Sequence, residues 1–240
     1  VCYHAAGSFI GKGGSQKPFP EETLEPQQLL ESLTRYLILL FSLSVHESAH
    51  AWTALQQGDD TALREGRISL NPLVHIDPIG TVLFPLMGLF LGGVFFGWAK
   101  PTPVQPRHFK NFRLGQILTS GAGPASNFLL AIVFTVFYAV AVRFVPPQSP
   151  VLFLFWTGIF LNVVLGVFNL IPVPPLDGSW IASWGLPRQW GDFYDRYMEP
   201  YGWFILIGLF ITGALGVIMG VVAYPIAFFL LNLAQGSLTG

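Results

Sequence analysis

Apolar residues arrive in long runs separated by short polar, proline-rich intervals. The runs cover residues 36–55, 79–98, 117–145, 151–171 and 203–233. A helix crossing the hydrocarbon needs about 20 mainly apolar residues, so the pattern predicts a bundle of membrane helices. The run 79–98 differs from the others. Gly80, Pro85, Gly88, Gly92, Gly93 and Gly97 interrupt it, and broken backbone at membrane depth is tolerated only where protein or a wet cavity satisfies it. It is therefore expected to be re-entrant. The run 203–233 is too long for one crossing and too short for two, and Gly220 and Pro225 point to one crossing followed by a partial or interfacial helix. The aromatic-rich stretch 180–201 suits a membrane interface. The expected fold is an all-α polytopic membrane protein, a transmembrane helix bundle with a re-entrant, partly extended segment between the first and second core helices. Residues 1–34 read as an extramembrane N-terminal tail and 35–240 as the membrane-embedded domain.

Composition strengthens that picture. Hydrophobic residues make up 52% of the chain and charged residues 10%, against about 25% charged in a soluble domain. A formal net charge of −1 gives no basic surface for nucleic acid, which is set aside as a partner. Cys2 is the single cysteine, so an intrachain disulfide and a cysteine-based zinc site are both excluded. Any metal must be held by His, Asp or Glu. Arg64, Arg67, Lys100, Arg107, Lys110, Arg113, Arg188 and Arg196 fall in one set of intervals, and Lys12, Lys17, Arg35 and Arg143 in the other. The positive-inside rule puts the first set in the cytoplasm and the N-terminus outside, provided that 79–98 enters and leaves on one side.

Candidate chemistry lies inside the first run as His46-Glu47-Ser48-Ala49-His50. Histidines four apart on a helix share a face, so both imidazoles can reach one tetrahedral zinc. Glu47 is placed to take a proton from the attacking water as a general base. Titratable groups are costly at bilayer depth unless paired, hydrated or ligated, so their presence in an apolar run is itself a functional signal. A catalytic zinc takes three protein ligands. Asp177, in Asn169-Leu-Ile-Pro172-Val-Pro-Pro-Leu-Asp177-Gly178, is the candidate third ligand. The alternative is an interfacial aspartate capping a helix that starts at Gly178 or Ser179. For Asp177 to meet the histidines, the first run and 151–171 must point the same way, with only 117–145 crossing between them.

Asn162 and Asn169 are seven apart and share a helical face turned to the protein interior. Asn169 can donate to a developing oxyanion or orient substrate backbone. For Asn162 a purely interhelical hydrogen-bonding role is preferred. The small-residue run Gly121-Ala-Gly-Pro-Ala-Ser-Asn127 allows close helix approach, and Asn127 reads as a buried packing contact. Residues 67–72 and 99–106 read as extended stretches flanking 79–98, either an edge for strand addition by an unwound substrate or plain polar loops. His75 reads as a hydrogen-bonded loop histidine, with approach to the metal as the alternative. No role is assigned to His108.

These motifs together resemble the site-2 protease family of intramembrane zinc metalloproteases. Asn71-Pro-Leu-Val-His75-Ile-Asp-Pro78, Gly97-Trp-Ala-Lys-Pro-Thr-Pro103 and Ala122-Gly-Pro-Ala-Ser-Asn127 are similar to its compact prokaryotic branch. The resemblance spans about residues 43–179. It implies a Zn2+ held by His46, His50 and Asp177, Glu47 as base, a prokaryotic inner-membrane location, and cleavage of a transmembrane protein substrate from the cytoplasmic half of the bilayer. Two rival classes stand beside it: a membrane metal-binding or transport protein, and an inactive scaffold that binds transmembrane helices. A transporter needs ligands at successive depths, whereas the groups here cluster at one level. The oligomeric state stays open.

Overall fold

The computed structural model describes residues 26–85, 87 and 97–236. Those residues are helical or irregular, with no strand among them. The interior of the run 79–98, including Gly88, Gly92 and Gly93, and the tail with Cys2 lie outside the described residues.

Helix α1 spans Pro26–Gln57, starting within the residues assigned to the N-terminal tail. Its end has a local cause. Gly58 takes a positive φ of 110°, and Asp59 N–H and Gly58 N–H bond back to the carbonyls of Ala54 and Leu55, which is the Schellman pattern. A single turn, α2 (Thr61–Arg64), follows. Asp77 then accepts from the N–H groups of Ile79 and Gly80 and starts a π turn at Pro78–Leu83. Helix α3 (Phe112–Ala141) is capped by Asn111, and α4 (Pro150–Asn169) by Ser149 with proline at its first position, where the absent N–H costs nothing. Two short helices, α5 (Asp177–Gly185) and α6 (Arg188–Met198), precede α7 (Gly202–Ile211). The last helix, α8, covers Ala214–Gly236.

By length and apolar composition α1, α3, α4 and α8 can each cross a membrane. The last run is arranged in the reverse of the expected order. The short helix α7 comes first and the crossing-length α8 second. The break falls at Gly213, whose φ is 74°, rather than at Gly220 or Pro225. Pro225 is tolerated because a π turn at Met219–Ala223 precedes it and absorbs the hydrogen bond its missing N–H cannot make.

Contacts fix the directions. Along α1, His46 and His50 meet Asn127 and Thr119 of α3, so α1 and α3 are antiparallel. Ile38 packs in one cluster with Leu152 and Ile159, and Leu39 and Leu43 meet Leu161 and Leu165, so α4 runs parallel to α1. Helix α8 returns against α4, with Phe228 beside Trp156 and Tyr224 beside Phe160. Two helices pointing the same way with one return between them bring the end of α4, and Asp177 beyond it, to the level of His46 and His50.

The interval between α1 and α3 folds back on itself. Residues 97–105 form an irregular strap along the C-terminal half of α1. Lys100 N–H donates to His75 O, Gln105 N–H to Asp59 Oδ2 (2.6 Å), and Lys110 N–H to Gln57 O. The buried Arg67 guanidinium donates to the carbonyls of Val74, Lys100 and Pro101. Asp59 is fully buried. Burial alone would push its carboxyl up, but hydrogen bonds from Gln105, Thr61 and His108 hold it below its ordinary value.

Asp59→Asn should loosen the strap, because one amide oxygen cannot accept from all four donors, the N–H and Oγ1 of Thr61, Gln105 N–H and His108 Nδ1. A buried donor left unpaired costs about 1–3 kcal/mol, read as a lower thermal midpoint in detergent at neutral pH. The native carboxyl is depressed, so its contribution is present above about pH 3.9. It is lost as pH falls through the native value, and the difference between wild type and variant should shrink there.

Candidate metal centre

Nitrogen lone pairs at this site are left free by what the other ring nitrogens bind. His50 Nδ1 lies 2.6 Å from Thr119 O, a backbone carbonyl that can only accept. Nδ1 of His50 therefore carries a proton, and in the neutral ring Nε2 is the nitrogen left for a metal. For His46 the same conclusion follows through a relay. Asn162 Nδ2 donates to Gly158 O (2.8 Å) and Ser42 Oγ (2.9 Å), which fixes its amide and turns Oδ1 toward Asn127. Asn127 Nδ2 donates to that oxygen (3.0 Å), so Asn127 Oδ1 accepts from His46 Nδ1 at 2.7 Å. Asn127 and Asn162 are both fully buried.

The two Nε2 atoms face each other at 3.0 Å. Asp177 Oδ2 sits 3.2 Å from one and 3.3 Å from the other. That oxygen is buried and has no hydrogen-bond donor. Two imidazole nitrogens and a carboxylate oxygen thus converge on one point, an arrangement that a cation among them stabilises. The candidate ligand atoms all lie within 4.8 Å of one another, and two imidazoles with one carboxylate match the donors of a catalytic zinc. Gly123 of α3 clears the space. A Cβ there would overlap His50 Nε2 and lie 2.6 Å from His46 Nε2. The residues fit a tetrahedral divalent ion.

Asp177 opens α5 without capping it: the N-cap is Leu176, with no side-chain cap. The capping alternative is thereby removed. Gly178 lets the turn close, since a Cβ would overlap Leu170 O. Glu47 is half-buried, and Thr102 in the strap holds it twice. Thr102 N–H donates to Glu47 Oε2 (2.8 Å), and Thr102 Oγ1 donates to the Glu47 backbone carbonyl (2.9 Å).

Asn169, the last residue of α4, is half-buried, and one of its two amide hydrogens goes to Leu165 O (3.0 Å). It makes no hydrogen bond to the His–His–Asp group. His75 is not drawn in either. Its Nε2 lies 2.8 Å from Ser69 O and 3.4 Å from Ser48 Oγ, as suits a loop histidine. Asn127 exceeds its expected packing role by orienting a candidate ligand, and Asn162 acts behind it. Thr102 and Thr119 went unnoticed in the sequence. A signal for α3 was present: Thr119, Gly123 and Asn127 recur every four residues, one stripe of a helix.

Residues 145–213 match the family model described as Peptidase family M50. The chain is 40% identical over 188 residues to "Putative zinc metalloprotease YwhC" of Bacillus subtilis (strain 168), covering 75% of this chain and 82% of that one. It is 33% identical over 183 residues to the similarly named Rip2 of Mycolicibacterium smegmatis, covering 73% of this chain and 66% of that one. A shorter match, 36% identical over 72 residues, joins it to MJ0611 of Methanocaldococcus jannaschii, covering 29% of this chain and 34% of that one. No solved structure matches.

Asn127→Ala should weaken zinc binding about 10- to 100-fold, the usual cost of losing a group that orients a ligand. Competition against a chromophoric chelator measures it. An unchanged affinity would show that His46 keeps its tautomer and ring angle without Asn127.

Proposed function

The chain belongs to peptidase family M50, and from that premise we propose that His46, His50 and Asp177 hold its catalytic zinc, that Glu47 is the general base, and that its substrates are transmembrane segments of other membrane proteins. It is an intramembrane zinc metalloprotease. The observation that supports the ligand assignment is the convergence of two imidazole Nε2 atoms, each ring's Nδ1 being held as a donor, and one buried carboxylate oxygen. When bound, zinc supplies a Lewis acid that lowers the pKa of water toward neutrality and polarises a carbonyl.

The chain's own groups do the rest. Glu47 takes a proton from the attacking water, whose oxygen adds to the scissile carbonyl carbon. As the C–N bond breaks, Glu47 returns that proton to the leaving amine. Thr102 steadies the carboxylate through Oε2, leaving Oε1 for the proton transfer. The second amide hydrogen of Asn169 is available to the developing oxyanion. A helical substrate hides its carbonyls, so it must unwind first. The strap is the candidate holder of the opened chain, although its N–H groups at Trp98, Lys100 and Thr102 are already committed to Gly80, His75 and Glu47. Pro101 and Pro103 have no N–H, and the Lys100 and Pro101 carbonyls already accept from Arg67, so strand addition on its outer edge would fall to the strap's other carbonyls.

The membrane arrangement follows the same reading. On this reading the chain enters and leaves the run 79–98 on one side of the membrane. This is supported by the bonds that join the chain before it to the chain after it, at Asp59–Gln105, Gln57–Lys110 and Arg67–Lys100. Arg113 at the start of α3 donates to the carbonyls of Trp184, Gly185 and Leu186, tying the post-α5 turn to that same end of the bundle. With the basic intervals gathered there, the positive-inside rule makes it the cytoplasmic end. The metal site then opens toward the cytoplasmic half of a bacterial inner membrane, and residues 35–240 form the catalytic unit. A transporter is disfavoured because, among the described residues, the metal-ligating candidates form one cluster and not a series at successive depths.

Glu47→Gln should retain zinc while turnover of a single-span substrate falls about 10²- to 10⁴-fold. Asp177→Ala should lose the metal itself, by metal analysis of the purified protein. If Asp177→Ala keeps both zinc and activity, the third ligand is elsewhere; if Glu47→Gln cleaves at the wild-type rate, the mechanism is wrong.

Cysteines placed singly in 56–77 and in 100–115, in a Cys2-free background, should label from one face of the membrane. Labelling from opposite faces would mean that 79–98 crosses fully.

A further inference from the structure

Helix α6 has three faces where an ordinary amphipathic helix has two. Gly191, Tyr194, Asp195 and Met198, at i, i+3, i+4 and i+7, form the face against the protein. Gly191 lies on Ser183 O, where a Cβ would come within 2.5 Å. Tyr194 Oη donates to Pro172 O (2.6 Å), and Ser183 Oγ donates to Asp195 Oδ2 (2.9 Å). A second face carries Asp192, Arg196 and Glu199, all exposed. The third carries Trp190, Phe193 and Tyr197, which share one sector of the helix and are 64%, 58% and 52% exposed. The Phe193 and Tyr197 rings are 4.6 Å apart, so they form a continuous aromatic surface with no cover among the described residues.

We propose that α6 lies in the plane of the membrane at the headgroup boundary, with Trp190, Phe193 and Tyr197 immersed in lipid and its acidic and basic face in water. Three observations select lipid as the partner. The exposed surface is continuous along the chain with a lipid-facing one: α6 leads through Tyr201 into α7, whose Trp203 and Phe204 are 60% and 72% exposed at the start of an apolar helix. Trp and Tyr have apolar bodies and polar tips, which suits the zone between acyl chains and water. The polar face adjoins the aromatic face, so one surface meets lipid while its neighbour stays wet. Asp192, Asp195 and Glu199 outnumber Arg188 and Arg196, so the contact is made by the rings and does not call for anionic lipid.

The placement matters for the metal centre. Tyr194 and Asp195 hold the chain at Pro172 and Ser183, on either side of Asp177. Helix α6 therefore sets the depth of the segment that carries the carboxylate. The inference rests on the chain being membrane-embedded and not on the roles given to His46, His50 and Asp177.

The test uses the full chain in phosphatidylcholine vesicles, with Cys2 replaced and a nitroxide attached to Phe193→Cys, Tyr197→Cys, Asp192→Cys or Arg196→Cys. These positions are exposed, and native zinc content in each variant shows that the fold is kept. Collision rates with oxygen, which concentrates in lipid, and with a water-soluble nickel chelate are then compared. The expected result is an oxygen-to-nickel ratio several-fold higher at 193 and 197 than at 192 and 196, unchanged when phosphatidylglycerol is added. Equal ratios at all positions, with ready access to nickel, would place α6 in water and overturn the proposal. Protection of 193 and 197 from both reagents would overturn it in favour of a protein partner or a second copy of this chain. A strong dependence on phosphatidylglycerol would overturn the assignment of the contact to the aromatic face.

Discussion

A neutral imidazole offers a metal only the nitrogen that its tautomer leaves without a proton, and here that tautomer is enforced by neighbours. Here the enforcement begins at a backbone carbonyl, Gly158 O, and passes through Asn162 and Asn127 to His46. Each amide can be oriented only one way, because the first acceptor cannot donate. His50 reaches the same state in one step, against Thr119 O. The relay draws on α1, α3 and α4, so the helix packing and the protonation of the site are one problem. Buried amides are expensive when unpaired, and this chain pairs them in series.

Helix α1 is the organising element. It supplies two of the three convergent groups and the glutamate between them. It also offers Ser42 to the relay, and the buried Asp59 just past its end ties down the strap. The strap in turn grips Glu47 at Thr102, by side chain and by backbone. Long-range hydrogen bonds of this kind turn a locally determined helix into a site with a defined orientation, because the side chains of α1 alone retain several rotamers.

Asp177 arrives by a different route. The prolines from Pro172 to Pro175 end the α4 run, and Gly178 permits a turn too tight for any Cβ. The carboxylate then opens α5 on the same level as the histidines, because α4 runs parallel to α1. Helix α6 braces that segment at Pro172 and Ser183 while its aromatic face stays uncovered among the described residues. The candidate metal site and the aromatic face of α6 thus share one piece of backbone.

Much of this was legible in the sequence where the cause is local. Spacing alone put His46 and His50 on one face, and the apolar runs gave the crossing-length helices. The lone downstream Asp177 in a proline-broken segment stood out because charge is costly in lipid. The tertiary structure decided what depends on partners far along the chain. It turned Asn127 from a packing residue into the group that orients His46, made Thr102 the anchor of Glu47, and separated His75 from the metal. It also reversed the order of the last run, whose break lies at Gly213, since a single left-handed residue and a π turn can rearrange a helix without altering its hydrophobic pattern. Periodicity reports which face of an element is apolar. It carries no information about which donor meets which acceptor at sequence separations of 35 or 81, and those pairings set the chemistry.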